Sequence, residues 1–95
     1  MRVYTVAQMS IHDRARYDRY VSRFMRVLTR FDGRLLAADE APAVIEGTWP
    51  HQKIVLLEFP DRPAFERWAN SPEYTEIAKD RIAATTGCVL LVAGV

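Results

Sequence analysis

The strand-like segments of this chain carry apolar side chains at both parities, and that pattern narrows what it can fold into more than any other feature. In Val3–Met9, the residues Val3, Thr5, Ala7 and Met9 alternate with Tyr4 and Val6; in Lys53–Phe59, Ile54 and Leu56 alternate with Val55 and Leu57. Successive side chains on a strand point to opposite faces, so a sheet made of these segments is apolar on both sides. The chain has 95 residues, enough for one layer of helices over one face and little more. Burying a large aliphatic side chain is worth about 1.5–3 kcal/mol, so a row of them left in water would cost several kcal/mol. A second, symmetry-related copy of the same sheet is the simplest cover for the remaining face.

The remaining elements follow from periodicity and punctuation. Val3–Met9 reads as the first strand. Ser10 and Asp13 have capping-box spacing, which predicts a helix start there. Tyr17, Tyr20, Val21, Phe24, Val27, Leu28 and Phe31 recur at intervals of three and four and share one helix face, with Gly33 as its left-handed stop. Arg16, Arg19, Arg23, Arg26 and Arg30 fall on the other face, either as a solvated surface or as an anion-binding stripe. Arg34–Ala38 and Ala43–Glu46 read as one broken edge strand, and Lys53–Phe59 as a central strand ended by Pro60. Asp61 caps a helix carrying Phe65, Trp68 and Ala69 inward. Asn70-Ser71-Pro72 breaks that helix and restarts it with Tyr74, Ile77, Ala78 and Ile82 on the new inner face. Cys88–Ala93 is the last strand.

The order is thus β-α-β-β-α-β in one domain spanning residues 1–95. It predicts a ferredoxin-like α+β fold: a four-stranded antiparallel sheet with two helices on one face, pairing into a dimeric α/β barrel. A net charge of +1 offers no strong field for nucleic acid or anionic lipid. No apolar run is long enough for a membrane span, and the amino terminus enters a strand pattern with no signal core. With a single cysteine, Cys88, an internal disulfide is impossible, and a cytoplasmic location is expected. One cysteine and two distant histidines have no metal-ligand spacing; phosphate loops and nucleophile elbows are missing, so neither metal nor cofactor is expected.

Gly33-Arg34, Glu46-Gly47-x-Trp49, Glu58-Phe59-Pro60, Ser71-Pro72-Glu73-Tyr74 and the closing Gly94-Val95, in that order, resemble the family called domain of unknown function 1330. The resemblance covers nearly the whole chain. It implies membership of the dimeric α/β-barrel superfamily, whose members include cofactor-free oxygenases, haem-degrading enzymes, isomerases and binding modules. Fold and dimer are implied more firmly than activity.

Glu58 is the first candidate for chemistry, because it shares parity with Ile54 and Leu56 and faces an apolar layer that would raise its pKa toward that of a general base. The alternative is a structural pair with Arg34 or Arg81. Arg34 can hold a substrate carboxylate or, equally, Glu46 or Glu58. Tyr74, with Asn70, Ser71 and Glu73, sits at the helix break, where capping competes with a role in a crevice. Tyr4, Tyr17, Tyr20 and Trp68 are candidates for the wall of a cavity between helices and sheet, or for plain core. Trp49 and His51 flank Pro50 at a possible pocket mouth, Trp49 also suiting a dimer contact; neither His51 nor His12 has a partner nucleophile in view.

Two functions compete on this reading. One is an enzyme acting on a small, partly apolar metabolite in a crevice between sheet and helices, with Glu58, Arg34 and Tyr74 as catalytic residues and Tyr4, Tyr17, Trp49, His51, Trp68, Asn70 and Arg81 lining the pocket. The other is a non-catalytic dimeric module that binds a ligand or stabilises a partner. They separate on whether Arg34, Glu58, Tyr74 and Arg81 converge on an enclosed space.

Overall fold

The computed structural model describes residues 1–95 as β1 (Val3–Ile11), α1 (Arg14–Arg30), β2 (Arg34–Asp39), β3 (Lys53–Phe59), α2 (Arg62–Ala69), α3 (Pro72–Ala84) and β4 (Thr85–Ala93). The four strands form one antiparallel sheet in the order β2-β3-β1-β4. β3 and β1 are therefore its interior strands, and β2 and β4 its edges.

Register decides which residues share a face. Val3 lies opposite Phe59, Thr5 opposite Leu57, Ala7 opposite Val55 and Met9 opposite Lys53. This row meets the helices and is almost entirely buried. Tyr4 opposite Glu58, Val6 opposite Leu56 and Gln8 opposite Ile54 form the other face, continued on β4 by Cys88, Leu90 and Val92. No element of the chain covers that second face evenly: Leu90 and Val92 are 49% and 44% exposed. The core lies on the helix side, where Tyr17, Tyr20, Phe24, Val27 and Leu28 of α1 and Tyr74, Ile77 and Ala78 of α3 meet β1 and β3.

Several boundaries differ from the sequence expectation, each for a local reason. Ser10 continues β1 and pairs with Thr86, so the cap of α1 is Asp13, which accepts from the Arg16 amide at 3.2 Å. The left-handed residue after α1 is Asp32 (φ 64°) and not Gly33. Gly33 is needed for space, because a Cβ there would collide with Leu28 and with the Phe59 ring. β2 stops at Asp39 after a bulge between Leu35 and Ala37, and Ala43–Glu46 forms no strand. The helix layer holds three helices, not two: Ser71 ends α2 and caps α3, its Oγ donating to the Trp68 carbonyl and accepting from the Tyr74 amide. Ile82 faces outward at 65% exposure, since Ile77, Ala78 and Ala84 supply the inner face of α3.

The arginine face of α1 is neither bare surface nor an open anion stripe. Arg16 Nε, Arg19 Nη2 and Arg23 Nη2 converge on Asp80 of α3 at 2.9, 3.1 and 3.1 Å. The Asp80 carboxylate, 7% exposed, is thus the polar clasp between the two long helices. Hydrogen bonds from Arg19 and Arg16 hold its pKa down at about 2.

Candidate functional site

Small side chains on the sheet, Thr5 and Ala7 of β1 and Ala38 of β2, leave a hollow beneath the aromatic rings of α1. The hollow measures about 270 Å³ and lies between the sheet, α1, α2 and α3. Sixteen of its nineteen lining side chains are hydrophobic, including Tyr17, Tyr20 and Phe24 above and Phe65 and Trp68 at one end. Val21, Met25 and Leu35 line it while remaining 45%, 44% and 40% exposed, so it opens between α1 and the β2 edge, and Val89 of β4, 48% exposed, lines it at the opposite edge. A cavity of this size is near the lower end of the range of about 300–1,000 Å³ found for small-molecule sites.

The polar equipment of the cavity is sparse and incompletely used. Thr5 Oγ1, Trp68 Nε1 and Arg81 Nε are buried with no hydrogen-bond partner, and all three residues line the cavity. A buried polar group without a partner costs about 1–3 kcal/mol, and such groups are uncommon in folded proteins. Lys53, only 9% exposed, sets its ammonium 4.8 Å from the centroid of the Tyr17 ring, with Glu40 Oε2 3.9 Å away as its counter-ion. Tyr20 and Tyr74 share a buried hydroxyl–hydroxyl hydrogen bond of 2.9 Å. Burial, with the neighbouring Tyr74 hydroxyl, pushes the Tyr20 phenol well above its ordinary pKa, so it stays protonated at neutral pH.

The sequence candidates divide between the two sides of the sheet. Tyr74, Tyr17, Trp68 and Arg81 line the cavity. Glu58, Arg34 and Tyr4 stand on the opposite face, so Arg34, Glu58, Tyr74 and Arg81 do not converge. Glu58 is 8% exposed, and its Oε1 lies 3.4 Å from Arg34 Nη1 and from Arg2 Nη1. That is the structural pairing that competed with a general base, made with Arg34 and not Arg81. Trp49 also belongs to the far side: its Nε1 donates to Gln8 Oε1 at 2.8 Å, and its ring meets that of His51 edge-on at 5.7 Å. Asn70 is an exposed residue closing α2.

Sequence reasoning missed Thr5, Lys53, Val21 and Leu35 as lining residues. Lys53 had a readable signal, a cation at the same parity as Val55, Leu57 and Phe59. The mouth residues had none, because Val21 fits the inner stripe of α1 as well as Phe24 does.

Ionisable side chains on the cavity wall are three tyrosines, Lys53 and Arg81, with no carboxylate or imidazole among them. Such a wall can hold an apolar body, donate hydrogen bonds and offset negative charge. It offers neither a carboxylate nor an imidazole as a general base. Nor does any cluster of three or more histidine, cysteine or acidic side chains have the proximity to hold a metal ion.

Comparison with solved structures agrees with this architecture. A protein of unknown function from Rhodopseudomonas palustris superposes with a TM-score of 0.84 at 16% identity, over 99% of this chain and 82% of that one. SnoaB, a cofactor-independent oxygenase from Streptomyces nogalater, gives 0.70 at 17% identity, over 99% and 93%. A dimeric ferredoxin-like protein of unknown function from a Jannaschia species gives 0.67 at 17%, over the whole of both chains. No curated protein matches the chain significantly. At these identities the likeness is one of fold. The model of the domain of unknown function DUF1330 matches residues 2–95, and the chain belongs to that family.

Proposed function

We propose that this protein is a homodimeric module that takes up a small, largely apolar metabolite in the cavity between its helices and its sheet. The observation that carries the reading is the set of three buried, unpartnered polar atoms, on Thr5, Trp68 and Arg81, around one apolar hollow. A ligand that supplies acceptors to these groups removes their desolvation cost, which an empty cavity leaves in place. The dimer is supported by the apolar face of Val6, Leu56, Leu90 and Val92, the last two nearly half-exposed, and by neighbours described as dimeric. A second copy seated there covers the sheet and leaves the cavity mouth, at the β2 edge of the other face, free. The exposed, unpaired Cys88 suits a reducing compartment such as the cytoplasm.

The test is direct. Isothermal titration with the neutral probe 2-naphthamide is expected to show one site per chain in the wild-type protein and none in Ala38→Trp, which fills the cavity from the edge strand. Equal binding by both proteins would remove the cavity from consideration.

A catalytic reading of the same cavity is favoured by one observation, that Arg81 and Lys53 present positive charge on the wall of an apolar cavity, where it stabilises negative charge developing on a bound molecule. The likeness to a cofactor-independent oxygenase fits this chemistry, with Tyr74 as a hydrogen-bonding residue and Glu58 and Arg34 outside the site. Native mass spectrometry of freshly purified protein identifies any retained compound. Incubating that compound with protein in air then separates the two readings: a new product mass indicates turnover, and an unchanged mass indicates binding alone.

A further inference from the structure

Arg81 stands apart from the arginines that find a carboxylate partner. Arg16, Arg19 and Arg23 each reach Asp80, and Arg34 reaches Glu58. Arg81 makes no ion pair, and its Nε is buried without a partner at the edge of the cavity. Its charge is nonetheless felt inside, where it acts on the buried Tyr20 hydroxyl in the direction opposite to burial. A guanidinium on the wall of an apolar cavity, partly exposed and with no carboxylate beside it, has its charge unanswered, and the natural partner is an anion that brings hydrogen-bond acceptors with it. Lys53 adds a second cation on the same wall, answered only by Glu40, which sits on a loop and is 43% exposed. No carboxylate lines the cavity to repel such a guest.

From this we infer that the ligand is an organic monoanion: a compact apolar body, small enough for about 270 Å³, carrying one carboxylate, enolate or phenolate oxygen group that pairs with Arg81. The inference rests on the cavity reading above and adds the charge of the guest. The planar fork of Arg81, a lining residue of the cavity, suits a carboxylate or a pair of neighbouring oxygens. The aromatic rings of Tyr17, Phe24 and Trp68 take the body, and Trp68 Nε1 remains as a further donor. Lys53 contributes attraction at longer range and, already having a carboxylate nearby, matters less.

The experiment compares two isosteric probes, 2-naphthoate and 2-naphthamide, by isothermal titration at low ionic strength against wild type, Arg81→Met, Arg81→Lys and Lys53→Met. Wild type is expected to bind 2-naphthoate at least tenfold more tightly than the amide. Arg81→Met, its fold checked by circular dichroism, is expected to lose that preference, its affinity for the carboxylate falling at least tenfold and further than its affinity for the amide, and Arg81→Lys to restore part of it. Lys53→Met is expected to reduce the preference by a smaller factor. Equal affinity of wild type for the two probes overturns the anionic ligand and leaves the apolar cavity standing. A preference that survives in Arg81→Met but disappears in Lys53→Met overturns the assignment to Arg81. Failure of both probes to bind wild type at millimolar concentration overturns the cavity reading and this inference together.

Discussion

The hydroxyl of Tyr20 on α1 lies 2.9 Å from that of Tyr74 on α3, and the pair is buried between the two helices and the sheet. Each hydroxyl satisfies the other, so the pair tolerates burial that neither would alone. Replacing Tyr20 with Phe strands the Tyr74 hydroxyl and is expected to destabilise the fold by about 1–3 kcal/mol in urea unfolding. The double variant Tyr20→Phe/Tyr74→Phe, which leaves no orphan group, is expected to lose less than the sum of the single changes. The folded-state pKa of Tyr20 is raised, so the stability it contributes is complete below the unfolded value near 10 and is lost as pH rises above it. Alkaline titration of stability is therefore expected to fall more steeply in wild type than in Tyr20→Phe.

Asp80 works in the opposite sense. Its pKa is held at about 2 by Arg19 and Arg16, below the unfolded value of 3.8. Its contribution is present above the unfolded value and disappears as pH falls through the folded one. Asp80→Asn is expected to lower Tm by several degrees at pH 7. The gap between wild type and variant should narrow between about pH 4 and pH 2 in parallel thermal melts; a constant gap across that window would mean the arginines do not act through the carboxylate charge.

Gly33 is set by space. Ala at this position places a methyl group against Leu28 and Phe59, two side chains with 0% exposure at the base of the core. Gly33→Ala is expected to cost about 1–3 kcal/mol by overpacking, measurable by urea unfolding.

The uncovered sheet face makes its own prediction. Leu56 lies opposite Val6 on β3 and β1, and Leu90 opposite Val6 on β4, so the three form one row across the middle of that face. Leu56→Asp puts a charge in the centre of the proposed dimer contact. Size-exclusion chromatography with light scattering is expected to show a dimer for wild type and a monomer for the variant.

Glu58 distinguishes the two faces functionally. It sits on the sheet side away from the cavity, paired with Arg2 and Arg34. Glu58→Gln is expected to leave the affinity for 2-naphthoate within twofold of wild type, while Arg81→Met lowers it at least tenfold. A tenfold loss in Glu58→Gln would show that the far face communicates with the cavity.

The local signals in the sequence were strong where the cause is local. Asp61 and Ser71 are both N-caps, and Pro72 restarts the helix where its fixed backbone angle permits. β3 runs from Lys53 to Phe59 because an apolar run ended by Pro60 has few alternatives. The strongly apolar run Lys53–Phe59 likewise read as a central strand, and β3 is an interior strand of the sheet. Failures came where tertiary partners overrule a local motif. Ser10 had the spacing of a capping box, but pairing with Thr86 drew it into β1.

The sequence by itself determined the order of elements, the break between α2 and α3, and the need for a cover on the second sheet face, because these follow from alternation, capping chemistry and the position of proline. Only the tertiary structure decided that Glu58 and Tyr74 lie on opposite sides of the sheet, that three arginines of α1 meet one aspartate of α3, and that Arg81 lines a cavity without a carboxylate partner. Each of these depends on strand register and helix docking. A shift of one residue in register exchanges the two faces of a strand, and no spacing within a single segment records which register its neighbour will impose.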